Sequence, residues 1–358
     1  MRRKVNRQDI DTLYVLGAGA SYALSYVNAK NNSVSRLSTP LDINFINCLE
    51  AFKPKNGWQK ASTEKIFNNW LDRGDIRTVG LEEAIIKRVS QYEFLSKFHR
   101  TRIQGKISNS DYLNHLSHLV CAYLKKCRSN SSGNTKAFTN HIFPVGTSVE
   151  NYKNRIVTFN YDTLIDRQLI ERNVSRRKIY FDRLVKSRGD GIRRDQDEKF
   201  AHPLILKLHG SINWRCERSH FDQLISGDVN QEEKLEIWFE EKKLPKPDDD
   251  ESPLIIPPIP NKPITASSLF NFLWTCAFEY MHEARRMVIV GYSCPSTDTL
   301  ARTMFGQFKS KNLEEIIVID PNALALKSYR EMIDPKVATK AKWRYYSDFR
   351  EYIDAGLS

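Results

Sequence analysis

Five short apolar runs, scattered along most of the chain, each end in a small cluster of glycine or polar residues. They are Thr12-Leu-Tyr-Val-Leu16 before Gly17-Ala18-Gly19-Ala20-Ser21, and Arg155-Ile-Val-Thr-Phe159 before Asn160-Tyr161-Asp162. Leu204-Ile-Leu-Lys-Leu208 precedes His209-Gly210-Ser211, and Met287-Val-Ile-Val290 precedes Gly291-Tyr292-Ser293. The last is Ile316-Ile-Val-Ile319 before Asp320-Pro321-Asn322. Apolar strands that alternate with helical patterns are the signature of a parallel sheet covered on both faces. Ligands of such sheets bind at the carboxyl ends of the strands. The fold class is therefore α/β, with the five clusters expected to line one crevice.

The first cluster carries the most specific chemistry. A strand, a tight glycine turn and a helix N-terminus make a phosphate site, because glycine admits the backbone to a pyrophosphate and helix N–H groups favour its charge. The helix is expected from Tyr22 to Val27. Tyr22 stands where the dinucleotide fingerprint has its third glycine, so the dehydrogenase form is not matched. Small residues are equally what any strand-to-helix turn needs.

From about residue 50 to 128 the pattern is helical. Leu81, Ile85, Ile86 and Val89 recur at helix spacing, as do Leu113, Leu116, Leu119, Val120, Tyr123 and Leu124, with Ser110 or Asp111 expected to cap the second set. Residues 49–149 thus read as a helical insertion, and 1–48 with 150–358 as the sheet domain. Ser129 to Lys136 reads as a loop, Arg177 to Phe181 as a further strand, and 215–252 as a charged, irregular, peripheral excursion. An aromatic-rich helix is expected from Ser267 to Ala284.

Composition excludes several classes. The six cysteines form no CxxC pair, which argues against a zinc ribbon and for reduced, buried thiols. Cys294 has no base beside it in sequence and makes a poor nucleophile. No apolar run approaches the roughly 18 residues of a membrane span, and no secretory signal is visible, so the chain reads as cytosolic. The net charge of +12, with clusters at Arg2-Arg3-Lys4, Arg172 to Lys178 and Lys186 to Arg194, favours anionic partners, nucleic acid among them. The same clusters also fit a merely solvated surface.

Taken in order, the motifs GAG-x-S, F-N-Y-D, L-H-G-S, G-Y-S and D-P-N resemble the sirtuin fold, specifically its bacterial NAD-hydrolysing, sirtuin-like branch. The resemblance spans residues 12–48 and 154–325. It implies a Rossmann-like parallel sheet of the sirtuin type with NAD as substrate and no metal. Gly17, Ala18, Gly19 and Ser21 would hold the pyrophosphate, and Gly210 and Gly291 belong to the same cofactor-binding set. Asn160 would position ribose hydroxyls and a water, Asp162 would engage the nicotinamide carboxamide, and His209 would act as base. Ser293 would face phosphate or ribose, and Asp320 and Asn322 the adenosine. Pro40-Leu41 resembles the segment that closes over nicotinamide. The resemblance further implies a role in defence against phage by NAD depletion, a homo-oligomer, and control by a HerA-type hexameric ATPase.

The departures have consequences. Sirtuin deacylases carry a four-cysteine zinc module after the histidine motif, where this chain has only Cys216 and Cys276. Phe159 stands where deacylases usually have glutamine, and no acyl-lysine-gripping loop is recognisable. These favour direct NAD cleavage, which needs an oriented ring, excluded bulk water, one held water and a nearby base. Two other classes stay open: an NAD-dependent deacylase or ADP-ribosyltransferase, and a non-catalytic NAD or ADP-ribose sensor in a nucleic-acid-associated complex. Each residue also has a plainer role. Asn160 and Asp162 could cap the helix from Thr163, His209 could be a buried histidine bonded to a carbonyl, and Asp320-Pro321-Asn322 is ordinary turn chemistry.

Overall fold

The computed structural model describes residues 10–25, 41, 44–52, 57–98, 109–128, 133–180, 203–226, 238–240, 243–257, 259, 264 and 267–356. Strand β1 (Thr12–Leu16) runs straight into helix α1 (Ala18–Ser25). Helices α2 (Phe45–Phe52), α3 (Gly57–Asn69), α4 (Arg73–Val79), α5 (Leu81–Phe98), α6 (Asn109–Arg128) and α7 (Gly133–Ile142) follow. The chain returns through β2 (Arg155–Thr158), α8 (Leu164–Glu171), α9 (Arg176–Ile179) and β3 (Ile205–Lys207). Next come β4 (Gly210–Glu217), α10 (Arg218–Ser226), β5 (Trp238–Phe239) and β6 (Glu251–Ile255). The last stretch alternates α11 (Ser268–Glu283), β7 (Arg286–Val290), α12 (Thr299–Gln307), β8 (Glu315–Ile319), α13 (Leu324–Met332), α14 (Pro335–Ala338), β9 (Lys342–Tyr346) and α15 (Phe349–Asp354).

Six of the strands form one parallel sheet in the order β3-β2-β1-β7-β8-β9. This is the Rossmann order. The first three strands wind outward one way, the last three the other, and the direction reverses between β1 and β7. Tyr14 of β1 sits in register with Ile156 on one side and Val288 on the other. β1, β2, β3 and β8 are buried at every position, as their apolar runs require. β9, with its Lys342-Trp-Arg-Tyr-Tyr346 sequence, is only half buried and closes the edge.

Two hydrophobic cores result. One surrounds the sheet and includes Phe138 and Ile142 of α7. The other lies among α2 to α6 and takes in Ile212, Ile255 and Ile259 from the segment after β3. The described residues of that segment are regular, not irregular as its charge suggests: β5, β4 and β6 make a three-stranded antiparallel sheet, and α10 packs on it. A register shift between Gly210 and Arg215 lets Ile212 join the helical core while Trp214 and Cys216 join the sheet core. The small sheet therefore mortars the helices to the parallel sheet.

Other expectations are corrected by local geometry. The helix after the glycine turn begins at Ala18, four residues before Tyr22. Gly133 to Lys136 open α7, where Thr135 is buried and donates to Leu24 O at 3.0 Å. Arg177 to Ile179 belong to α9, because buried Tyr180 bonds Asp166 and folds the segment back on α8. Ser110 and Asp111 do not cap α6. They lie in its first turn, Ser110 bonded to Asp222 and Asp111 to Lys65. Pro40 and the clusters Arg2 to Lys4 and Lys186 to Arg194 lie outside the described residues.

Candidate functional site

The switch point is built by two interlocked turns. Gly17 N–H donates to Val290 O at 3.1 Å, and Gly19 N–H to Gly291 O at 2.9 Å. A Cβ on Gly17 would lie 2.5 Å from Tyr292 Cα, and one on Gly291, at φ +54, would lie 2.4 Å from Ala20 N. Glycine is needed here for backbone packing itself. The amides of Gly17, Gly19 and Ala20 are already bonded within the turns, so the glycines bring the two loops together at the mouth where a phosphate would sit.

The end of β2 joins this turn. Asn160 Nδ2 donates to Gly17 O at 2.6 Å and to Ser21 Oγ at 2.7 Å, while its backbone N–H donates to Thr158 Oγ1 at 3.1 Å. Both amide hydrogens are thus committed among the described residues, and Oδ1 is the side of the group that can accept from a ligand. Ser21 Oγ donates in turn to Asp162 Oδ2. Asp162 Oδ1 accepts from Leu164 N at 3.0 Å, so this carboxylate does tie down the start of α8. One residue holds a helix end and a site serine together.

Beneath this layer lies a buried ionic cluster. Lys207, 1% exposed on β3, donates from Nζ to Asp162 O and stands 3.6 Å from Asp166 Oδ2. The Tyr180 hydroxyl donates to Asp166 Oδ1, and Asn213 Nδ2 donates to Tyr180 Oη at 3.3 Å. Burial pushes the Asp166 carboxyl above its ordinary range, while Lys207 and Tyr180 pull it back. A cavity of about 20 Å³, room for one water, lies between the layers among Ser21, Asn160, Asp162, Asp166 and Lys207.

His209 leaves β3 into an aromatic wall. Its ring meets Phe159 edge-on at 5.3 Å and lies tilted against Tyr161 at 6.4 Å and Trp274 at 6.1 Å. Phe159 stacks on Tyr292 at 4.0 Å, which links the ends of β2, β3 and β7. Trp274 of α11 is fixed by its Nε1–H bond to Leu208 O at 3.2 Å. His209 Nε2 stands 3.8 Å from Asp298 Oδ2. The wall is buried and aromatic, with an imidazole and a carboxylate set into it.

The remaining candidates spread along the same sheet end. Ser293 is exposed beside Gly291, whereas Cys294 is buried with its thiol 3.6 Å from Met332 Sδ. Asp320 Oδ1 accepts from Asn322 N at 2.8 Å, and Asn322 Oδ1 from Leu324 N at 3.0 Å, which is turn and helix-start chemistry. Burial raises the Asp320 carboxyl, and the Asn322 N–H opposes it. The helical core reaches the crevice: Tyr161 packs against it and donates its hydroxyl to Ile256 O at 2.7 Å. Burial pushes the Cys127 thiol at the end of α6 up to about 12, against the opposing pull of the Tyr123 hydroxyl.

Lys207, Asp166, Tyr292 and Asp298 are absent from the sequence-based set. The one available signal was Lys207, a charge inside a strand buried on both faces, which demands a buried partner. Among the described residues no group of three His, Cys, Asp or Glu side chains is placed to hold a metal, and no helix is long and apolar enough to cross a membrane.

No family model and no curated protein matches the chain. Among solved structures it is similar to one reported as "The Structural basis of Sirtuin Substrate Affinity", at 12% identity over 97% of this chain and 93% of that one, with a TM-score of 0.30.

Proposed function

We propose that the chain is an NAD+ glycohydrolase of the sirtuin-like kind, which takes NAD+ across the β1/β7 switch point and releases nicotinamide and ADP-ribose. One observation carries this reading. Asn160 is clamped through Nδ2 to Gly17 O and Ser21 Oγ at 2.6 and 2.7 Å, which fixes its amide beside the β1/β7 switch point and leaves Oδ1 as the acceptor side of the group. Asn160 would orient a ribose hydroxyl or the attacking water, and His209, one ring away beyond Phe159, would take the proton. The aromatic wall of Phe159, Tyr161, Trp274 and Tyr292 would exclude bulk water. The bond to a cationic nicotinamide needs little acid assistance, so a site with one base and one positioning amide suffices.

The biological setting rests on the resemblance in the motifs alone. In that reading the protein is a cytosolic effector of antiphage defence, a homo-oligomer through its helical part, and held in check until a HerA-type ATPase engages it.

Chromatography of products after incubation with NAD+, alone and with such an ATPase, tests the proposal beside Asn160→Ala. The expected result is nicotinamide and ADP-ribose from the unaltered chain only, with both proteins equally folded by circular dichroism. Intact NAD+ under every condition, despite measurable binding, would replace the hydrolase by an NAD sensor.

A further inference from the structure

Asp298 occupies the N-cap position of α12 and makes no capping bond. Aspartate at such a position ordinarily accepts from the first turn of its helix. Here the residue is 3% exposed, and its carboxylate does not take the first-turn N–H groups. Its Oδ2 accepts the Tyr292 hydroxyl at 2.8 Å and faces His209 Nε2 at 3.8 Å. The backbone keeps the helix start by itself, since Arg302 N–H bonds Asp298 O at 3.0 Å. A carboxylate withdrawn from both water and its helix is costly unless something inside the protein requires its charge. The groups described on its Oδ2 are a tyrosine hydroxyl and an imidazole.

We propose that Asp298 is the positioning residue of His209: held by the Tyr292 hydroxyl, its carboxylate orients the imidazole and balances the charge His209 acquires on taking a proton. The inference rests on the NAD-cleaving reading. In that reaction the water oxygen bonds to the ribose carbon as the C–N bond breaks, its electron pair leaves with nicotinamide, and the water proton passes to His209. An anion beside the ring favours the protonated imidazole formed in that step. The side chains described against the His209 ring are Asp298 at the start of α12, Phe159 and Tyr161 after β2, and Trp274 on α11, while Ile256 N–H after β6 bonds the His209 backbone carbonyl at 2.8 Å. Asp298 is the charged one of these.

The test uses the full chain and the variants Asp298→Asn and Tyr292→Phe. Asn has the shape of Asp and removes only the charge. Asp298→Asn is expected to lower kcat about tenfold or more with KM for NAD+ little changed. It should also move the acid limb of kcat/KM to lower pH by about one unit, because the lost carboxylate no longer favours the protonated ring. Tyr292→Phe keeps the stack on Phe159 and should give a smaller loss in the same direction. A merely structural role would lower kcat and leave the limb where it was, and that result overturns the proposal. NMR titration of 13C-labelled histidine, with the resonance identified through His209→Gln, reads the pairing without turnover. The His209 midpoint should fall by about one unit in Asp298→Asn, and an unmoved midpoint overturns the pairing. Wild-type protein that cleaves no NAD+ at any pH, alone or with the ATPase, overturns the reaction and Asp298's part in it, whereas an active wild type with an unaffected Asp298→Asn overturns the Asp298 role alone.

Discussion

Ser21 Oγ accepts from Asn160 at 2.7 Å and donates to Asp162, so one hydroxyl joins two site residues that lie 139 and 141 positions further along the chain. A hydroxyl is suited to this place because it can accept and donate at once. Ser21→Ala would leave the Asp162 oxygen without its donor and free one hydrogen of the Asn160 amide. The expected cost is about 1–3 kcal/mol of stability, read from urea unfolding. NAD+ cleavage should fall more steeply than NAD+ binding, since the acceptor of Asn160 loses its orientation. Equal losses in both would mean that Ser21 serves binding alone.

Gly210 follows His209 directly and has φ +84, with Leu254 O only 2.1 Å from where a Cβ would stand. A side chain there meets both backbone strain and a rigid carbonyl. Gly210→Ala should cost about 3 kcal/mol and displace His209, lowering turnover as well. Gly356 supplies the contrast, at φ +67 with no atom within 4 Å of an added Cβ. Gly356→Ala should cost about 1 kcal/mol and leave turnover unchanged. Urea midpoints of the two variants decide the matter.

Five strands of the parallel sheet were legible because they are buried and so read as apolar runs, as in Leu13–Leu16 and Ile316–Ile319, whereas the half-buried edge strand β9 was not. The clusters that follow them were legible because loop chemistry stands out against such runs. β4 was not, since its buried positions include Ser211, Asn213 and Arg215, whose partners lie in other parts of the chain. Asn213 reaches Tyr180, and the Arg215 guanidinium reaches Lys243 O at 3.4 Å besides its near neighbours Ile212 O and Trp214 O. Asp298 was hidden because an aspartate at a helix start is ordinarily explained by capping, and only geometry shows that this one does not cap.

Lys207 and Asp166 form a buried pair under the site, with side chains 1% and 4% exposed. Removing one partner leaves an uncompensated charge, whereas removing both does not. Lys207→Met should cost about 3–5 kcal/mol, and Lys207→Met with Asp166→Leu should regain most of it. The double variant should still lose turnover, because Asp162 O no longer has the Lys207 donor that holds the β2 loop. A double-mutant cycle in urea, run beside product chromatography, separates the two effects.

His118 gives the helical part a dependence on pH. It is 1% exposed in α6, where Nδ1–H donates to Asn114 O at 2.8 Å and Trp58 meets the ring edge-on at 6.3 Å. Burial is the main cause that lowers its pKa from 6.5 to about 4, against the opposing pull of backbone bonds at Asn114 and Glu251. A histidine with a depressed folded pKa contributes stability that is fully present above its unfolded value. That contribution drains away as pH falls from 6.5 through about 4. Over that window it amounts to about 3 kcal/mol. His118→Gln, which keeps a donor for Asn114 O, should be somewhat less stable near neutrality and lack this part of the acid slope. Urea unfolding of both proteins across the window checks it: the difference between them should shrink as pH falls, and a constant difference would show that His118 is not the group being titrated.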